Sequence, residues 1–144
     1  MSKRTLVLIF VLIILGIAGI IGYRIWNKPF KDPLQGDAIK ITAIQLFNDF
    51  STNEVTAKKK YVPEKLGDKK VEVTGEINEI GKNADGETFY TLKTSDEMFG
   101  VKCIMDKGEE IKNAKAGDTI TVRGFCDGYN MDVIVNRCKP VKKF

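Results

Sequence analysis

The stretch Lys70-Val71-Glu72-Val73-Thr74-Gly75-Glu76-Ile77-Asn78-Glu79-Ile80 decides how the rest of this chain is read. Val71, Val73 and Ile77 share one parity while Glu72, Thr74 and Glu76 share the other, the alternation of a half-buried antiparallel strand. Gly75 falls on the apolar parity. A glycine inside a strand marks a bend or bulge, and a sharply bent first strand lets one segment serve both sides of a small closed barrel.

Downstream, turn signals recur at near-regular spacing: Gly81-Lys82-Asn83-Ala84-Asp85-Gly86, Thr94-Ser95-Asp96-Glu97, Gly117-Asp118 and Asp127-Gly128-Tyr129-Asn130. They separate four further strands, expected at 88–93, 99–105, 119–125 and 131–136, with a short helix over 107–116 between the third and fourth. Upstream, Ala43, Leu46, Phe47 and Phe50 have helical spacing after Thr42, a ready N-cap, and a second helix is expected from Asn53 to Tyr61. The run Lys58-Lys59-Lys60 suits a solvated helix end, where cations complement the dipole.

The N-terminal segment is of another kind. Thr5 to Tyr23 carries no charge and is long enough, at about 1.5 Å per residue, to cross a hydrocarbon core of roughly 30 Å. No small-residue cleavage site of the A-x-A type follows it, and the first cysteine is Cys103, so an uncleaved signal anchor is expected. Tyr23 and Trp26 suit an interfacial belt. The expected organisation is a cytoplasmic tail over 1–4, a transmembrane helix over 5–23, a linker over 24–40, a helical extension over 41–66 and the barrel over 67–144. A four-residue tail favours a cytoplasmic N-terminus, so a single-pass membrane protein with an extracytoplasmic C-terminal domain is expected.

Charge bounds the function. Lys3, Arg4 and Arg24 account for three of the 23 cations, which leaves 20 against 19 carboxylates from Asn27 onward. A non-specific nucleic-acid binder draws most of its affinity from a clustered cationic excess, and the folded part has none. With no histidine in the chain, Ser-His-Asp and Cys-His pairs are excluded, as are imidazole zinc sites. The acidic turns at Asp85-Gly86-Glu87 and Asp127-x-x-Asn130-x-Asp132 lack Ca²⁺-loop spacing and read as hairpin turns. No metal and no cofactor is assigned, and no motif supports an enzyme.

The fold class expected is α+β, mainly β: a five-stranded barrel of OB-fold layout, preceded by two short helices and the N-terminal transmembrane helix. Asn53-Glu54, Ala57, Lys60-Tyr61, Val71-x-Val73-x-Gly75-x-Ile77, Val101-x-Cys103, Gly117-Asp118-Thr119-Ile120-Thr121-Val122-x-Gly124-x-Cys126-x-Gly128 and Asp132-Val133-x-Val135-x-x-Cys138 together resemble the bacterial OB-fold family called tRNA_anti-like. The resemblance covers roughly residues 40 to 139 and implies a membrane-anchored or exported protein. The family name records a likeness to anticodon-binding domains rather than an RNA role.

OB-folds bind across the outer face of their second and third strands, framed by the loops between strands one and two and between strands four and five. With Tyr90, Leu92, Val101 and Cys103 pointing inward, Phe89, Thr91, Lys93, Lys102 and Ile104 form that face, and Lys82, Asn83 and Tyr129 frame it. One aromatic and two lysines make a thin platform for single-stranded nucleic acid. The same residues also suit an ordinary solvated sheet face.

The three cysteines form no C-x-x-C motif. With a hairpin turning at Gly128, Cys126 and Cys138 fall too far apart to join, whereas the third and fifth strands of an OB-barrel are neighbours, so Cys103 with Cys138 is the less strained disulfide. Three buried thiols are the alternative. The function expected is a non-catalytic, membrane-tethered binding module for an envelope protein or saccharide, with a single-stranded nucleic-acid or tRNA-binding domain as the rival.

Overall fold

The computed structural model describes residues 2–28, 32–65 and 67–141, and the chain divides into two units, Met1–Asp32 and Pro33–Phe144. The first unit is built on helix α1, Lys3–Trp26. Ser2 caps its start by accepting a hydrogen bond from the Thr5 amide, and none of its side chains is buried. Its 24 residues extend about 36 Å and are apolar on every side. By length and composition the helix is able to cross a membrane.

In the second unit β2, Val71–Lys82, is the strand that two halves of a barrel share. Its first half pairs antiparallel with β5, Thr119–Asn130, from Val71 opposite Gly124 to Glu76 opposite Thr119. After a bulge between Ile77 and Glu79, its second half pairs with β3, Thr88–Leu92. β3 continues antiparallel to β4, Val101–Met105, and β4 runs parallel to β6, Asp132–Pro140, which returns to β5 and closes the barrel. Gly75 sits where β2 passes from one partner to the other. A Cβ there would stand 2.9 Å from that of Ala43 and 3.2 Å from that of Leu92, so the close approach of a helix start and a neighbouring strand requires glycine.

The barrel interior holds Val71, Val73, Ile77, Leu92, Val101, Val122, Val133 and Val135, all without solvent exposure. One end is covered by α2, Ala43–Thr52, whose buried Ala43, Leu46, Phe47 and Phe50 recur at helical spacing. The Thr42 hydroxyl accepts from the Gln45 amide at its N-cap. Behind it α3, Glu54–Tyr61, is capped by Asn53 and buries Ala57 and Tyr61, whose hydroxyl donates to Asp49 on α2. Lys58 pairs with Glu54 and Lys60 with Asp49 at this surface.

Several sequence expectations change. Residues 39–42 form a strand, β1 (Ile39–Thr42), parallel to the start of β2 with Ile39 opposite Val71. The expected linker over 24–40 and helical extension from 41 therefore meet inside a strand; four residues are too few for alternation to stand out beside a helix start. From Leu34 the segment already lies on the barrel: Leu34 is buried, and Arg123 on β5 donates through Nη1 to the carbonyls of Leu34 (3.1 Å) and Gly36 (3.0 Å).

The short helix expected over 107–116 is absent. Gly108, Asn113 and Gly117 hold φ of 83°, 61° and 95°, and a left-handed residue every few positions prevents a continuous right-handed helix. The last hairpin also turns later than its Asp-Gly signal suggests. Gly128 (φ 140°) belongs to a bulge, β5 runs on to Asn130, and Met131 (φ 65°) makes the turn. β6 consequently extends to Pro140, and Cys126 lies opposite Val135 rather than near Met131.

Candidate functional site

The outward residues of β3 and β4 are brought together by register, with Phe89 opposite Ile104 and Thr91 opposite Lys102. Lys93 follows the end of β3, where its amide donates to the Glu76 carbonyl and its ammonium pairs with the Glu76 carboxylate. Phe89 is not an open platform. Its ring lies across Gly81 on β2, where a Cβ would come within 2.5 Å of a ring atom, and the Lys102 ammonium stands 4.0 Å from the ring centroid. The glycine lets the ring lie flat against the strand, and the lysine occupies the face that a base or sugar would need.

Beside this pair the β3–β4 connection shapes a cleft of about 350 Å³, lined by Thr91, Lys93 and Lys102 together with Glu79, Thr94, Ser95, Asp96, Glu97 and Asp132. The connection is pinned along its length. Asp96 Oδ1 accepts from the amides of Met98 (2.7 Å) and Phe99 (3.0 Å), and the Thr94 hydroxyl donates to the Phe99 carbonyl (2.6 Å). Ser95 donates to Asn48 on α2 (2.6 Å), and the Gly100 amide donates to Asp132 at the start of β6 (2.8 Å). A Cβ on Gly100 would fall 2.4 Å from the Leu92 carbonyl oxygen, so glycine is required for β4 to begin so close to the end of β3. A loop tied to a helix, to its own backbone and to the last hairpin presents a preformed cleft, which lowers the ordering cost of binding.

The three expected framing residues lie elsewhere. Lys82 lines a second cleft of about 390 Å³ with Tyr90, Ile111 and Lys112, because it shares the parity of Thr88 and Tyr90 rather than that of Phe89. Asn83 closes its own hairpin turn, accepting from the Asp85 and Glu87 amides and donating to the Glu87 carboxylate. Tyr129 packs under α2, edge-on to Phe47 with centroids at 5.9 Å and stacked on Phe50 at 6.2 Å. Asn83 is thus engaged in its own turn and Tyr129 in the packing under α2, while Lys82 is exposed at the second cleft.

Glu79, Asp96 and Asp132 were missed. Asp96 had a local signal, the Thr94-Ser95-Asp96-Glu97 turn, although that signal names a turn and not a cleft wall. Asp132 was read only as part of the acidic turn Asp127-x-x-Asn130-x-Asp132, since the amide that ties it to the cleft is 32 positions away.

Cys103, Cys126 and Cys138 are free, buried thiols. Cys103 lies opposite Val135, and Val135 opposite Cys126, so two of them flank one residue of β6. Cys138 donates to the Val135 carbonyl. Burial pushes the Cys126 thiol up to about 12, and burial followed by the adjacent Cys103 raises that of Cys138 well above its ordinary value. Such thiols are weak nucleophiles at neutral pH. Among the described residues no cluster of His, Cys, Asp and Glu is placed to hold a metal ion.

A barrel closed in the order β2-β3-β4-β6-β5 and back to β2, with a polar cleft over its second and third strands, defines the OB-fold class. Within that class the chain belongs to the tRNA_anti-like family, whose profile matches residues 1–140. Among solved structures it is similar to the crystal structure titled "putative nucleic acid-binding lipoprotein" from Klebsiella pneumoniae, at 17% identity and a TM-score of 0.53 over 72% of this chain and 92% of that one. The structure of yeast Stn1 and Ten1 matches at 17% identity and a TM-score of 0.46, over 76% of this chain and 66% of that one. No curated protein matches the chain.

Proposed function

We propose that the protein is a non-catalytic binding module, anchored in a bacterial inner membrane by α1, which holds an envelope protein in the cleft beside β3 and β4 on the extracytoplasmic side. The observation that carries this reading is the pinned β3–β4 connection, a preformed polar cleft of mixed charge on the face that OB-folds use for ligands. Glu79, Asp96, Glu97 and Asp132 line it together with Lys93 and Lys102, a mixed lining suited to the varied polar groups of a peptide segment. A saccharide would call for an open ring, and Lys102 covers Phe89.

A photo-crosslinking side chain at Ser95 of the full-length protein in its host should give an adduct of one protein mass, and the same group at Lys112 should not. A reporter enzyme active only outside the cytoplasm, fused after Phe144, should be active. Equal adducts at both positions, or an inactive fusion, overturns the reading.

The second reading, single-stranded nucleic acid, draws on the presence of an aromatic and a lysine together on the β3–β4 face, Phe89 and Lys102, and on the name given to the Klebsiella pneumoniae protein. It requires Lys102 to leave the ring so that a base can stack there. Oligonucleotide affinity that falls steeply with salt, and is lost in Phe89→Ala, would establish it.

A further inference from the structure

We propose that the barrel face around Arg123 is a lipid-docking surface, seated on anionic headgroups of the bilayer that holds α1; the inference rests on the anchor reading above. It starts from register. Lys40 on β1, Glu72 on β2, Arg123 on β5 and Lys139 on β6 are successive partners across four strands. Arg123 Nη2 pairs with Glu72 (2.7 Å), while Nη1 holds the carbonyls of Leu34 and Gly36, so this row is also where the segment after α1 is strapped to the barrel. Lys70 adds a second strap to the Gln35 carbonyl (2.7 Å).

Only Asn27 to Pro33 separate α1 from the strapped residues, and seven residues reach at most about 25 Å when fully extended. With α1 across the bilayer, this length keeps the strapped residues within about 25 Å of the membrane surface.

Charge supplies the attraction. With Arg123 and Glu72 neutralising one another, residues 27–40 carry Lys28, Lys31 and Lys40 against Asp32 and Asp37, and Lys70 adds a further cation at the strap. The other end of the β5–β6 hairpin, seven residues or roughly 23 Å along β5, has the opposite character. There Asp132 accepts from the Gly100 amide of the connection that carries Asp96 and Glu97. An anionic surface attracts the first end and repels the second, which turns the cleft toward the aqueous compartment.

The test uses full-length protein reconstituted in vesicles of phosphatidylcholine alone and of phosphatidylcholine with phosphatidylglycerol, with lysine acylation rates read residue by residue by mass spectrometry. Lys40 and Lys70 should react about fivefold more slowly in the anionic vesicles, with the difference lost at high salt, while Lys93 and Lys112 keep their rates. Lys40→Glu, on an exposed edge strand, should return Lys70 toward its rate in neutral vesicles. Flotation of the same samples separates the two ways of failing. Protein that floats with both vesicle types but shows equal Lys40 and Lys70 rates overturns the docking alone. Protein that floats with neither overturns the anchor and the docking together.

Discussion

The two ends of the barrel are closed by different means. At one end α2 inserts Ala43, Leu46, Phe47 and Phe50, and the closure is made of apolar side chains set by a helical period. At the other, residues 106–118 cross as an irregular chain fixed by backbone groups. The Gly117 amide donates to the Ile77 carbonyl and the Ile77 amide to that of Asp118, while the Tyr90 hydroxyl bridges the Ile111 amide and carbonyl. The contrast shows what replaces a helix in a barrel floor. Side-chain burial stabilises the α2 end by area, and polar satisfaction holds the loop end by geometry.

The comparison can be broken in four places. Phe50→Ala, at a residue only 1% exposed, should cost about 3–5 kcal/mol in urea unfolding, the largest single effect. A much smaller loss would mean that α2 rests on the barrel without closing it.

The next test concerns how dry the barrel is between its two closures, where Cys126 on β5 and Cys103 on β4 both lie opposite Val135 of β6. Cys126 is neutral in the folded state up to about 12, while an unfolded thiol ionises near 9. The folded state therefore holds a proton that the unfolded state releases, and stability is full below pH 9 and falls as pH rises from there toward 12. At pH 10.5 the loss from this one thiol should be about 2 kcal/mol, read as a drop in urea midpoint that Cys126→Ala removes. Stability that stays flat over this range would mean that water reaches the thiol.

Tyr90→Phe should cost about 1–2 kcal/mol and speed hydrogen exchange at Ile111 ahead of α2 amides. A loss as large as that of Phe50→Ala would make the two closures equivalent. The smallest effect, about 1 kcal/mol, is expected for Thr42→Ala at the α2 N-cap, confined to faster exchange in the first turn of that helix.

The candidate site divides along similar lines. Phe89, Thr91, Lys102 and Ile104 were legible as one face because strand parity is local, and adjacent strands then fall into line. Tyr129 was misplaced by the Gly128 signal: glycine permits a turn and a bulge equally, and only the pairing of β5 with β6 chooses between them. Asn83 has the chemistry of a ligand contact and of a turn residue alike, and the Glu87 amide and carboxylate beside it decide for the turn. On the acidic side of the cleft Asp96 and Asp132 were legible as turn residues and not as a cleft wall, because the wall forms only when the β3–β4 connection meets the start of β6.

By itself the sequence determined an apolar helix long enough to span a bilayer, an alternating strand that carries Gly75 on its apolar parity, and an OB-fold barrel, because each is written in local periodicity or in the needs of a single residue. The tertiary structure decided that residues 34–42 join the barrel through Arg123 and β1, that residues 106–118 form no helix, and that Lys102 covers Phe89. These depend on partners far apart in the chain, 87 positions from Gly36 to Arg123, and no local pattern encodes a contact whose two halves are chosen by the closing of a barrel.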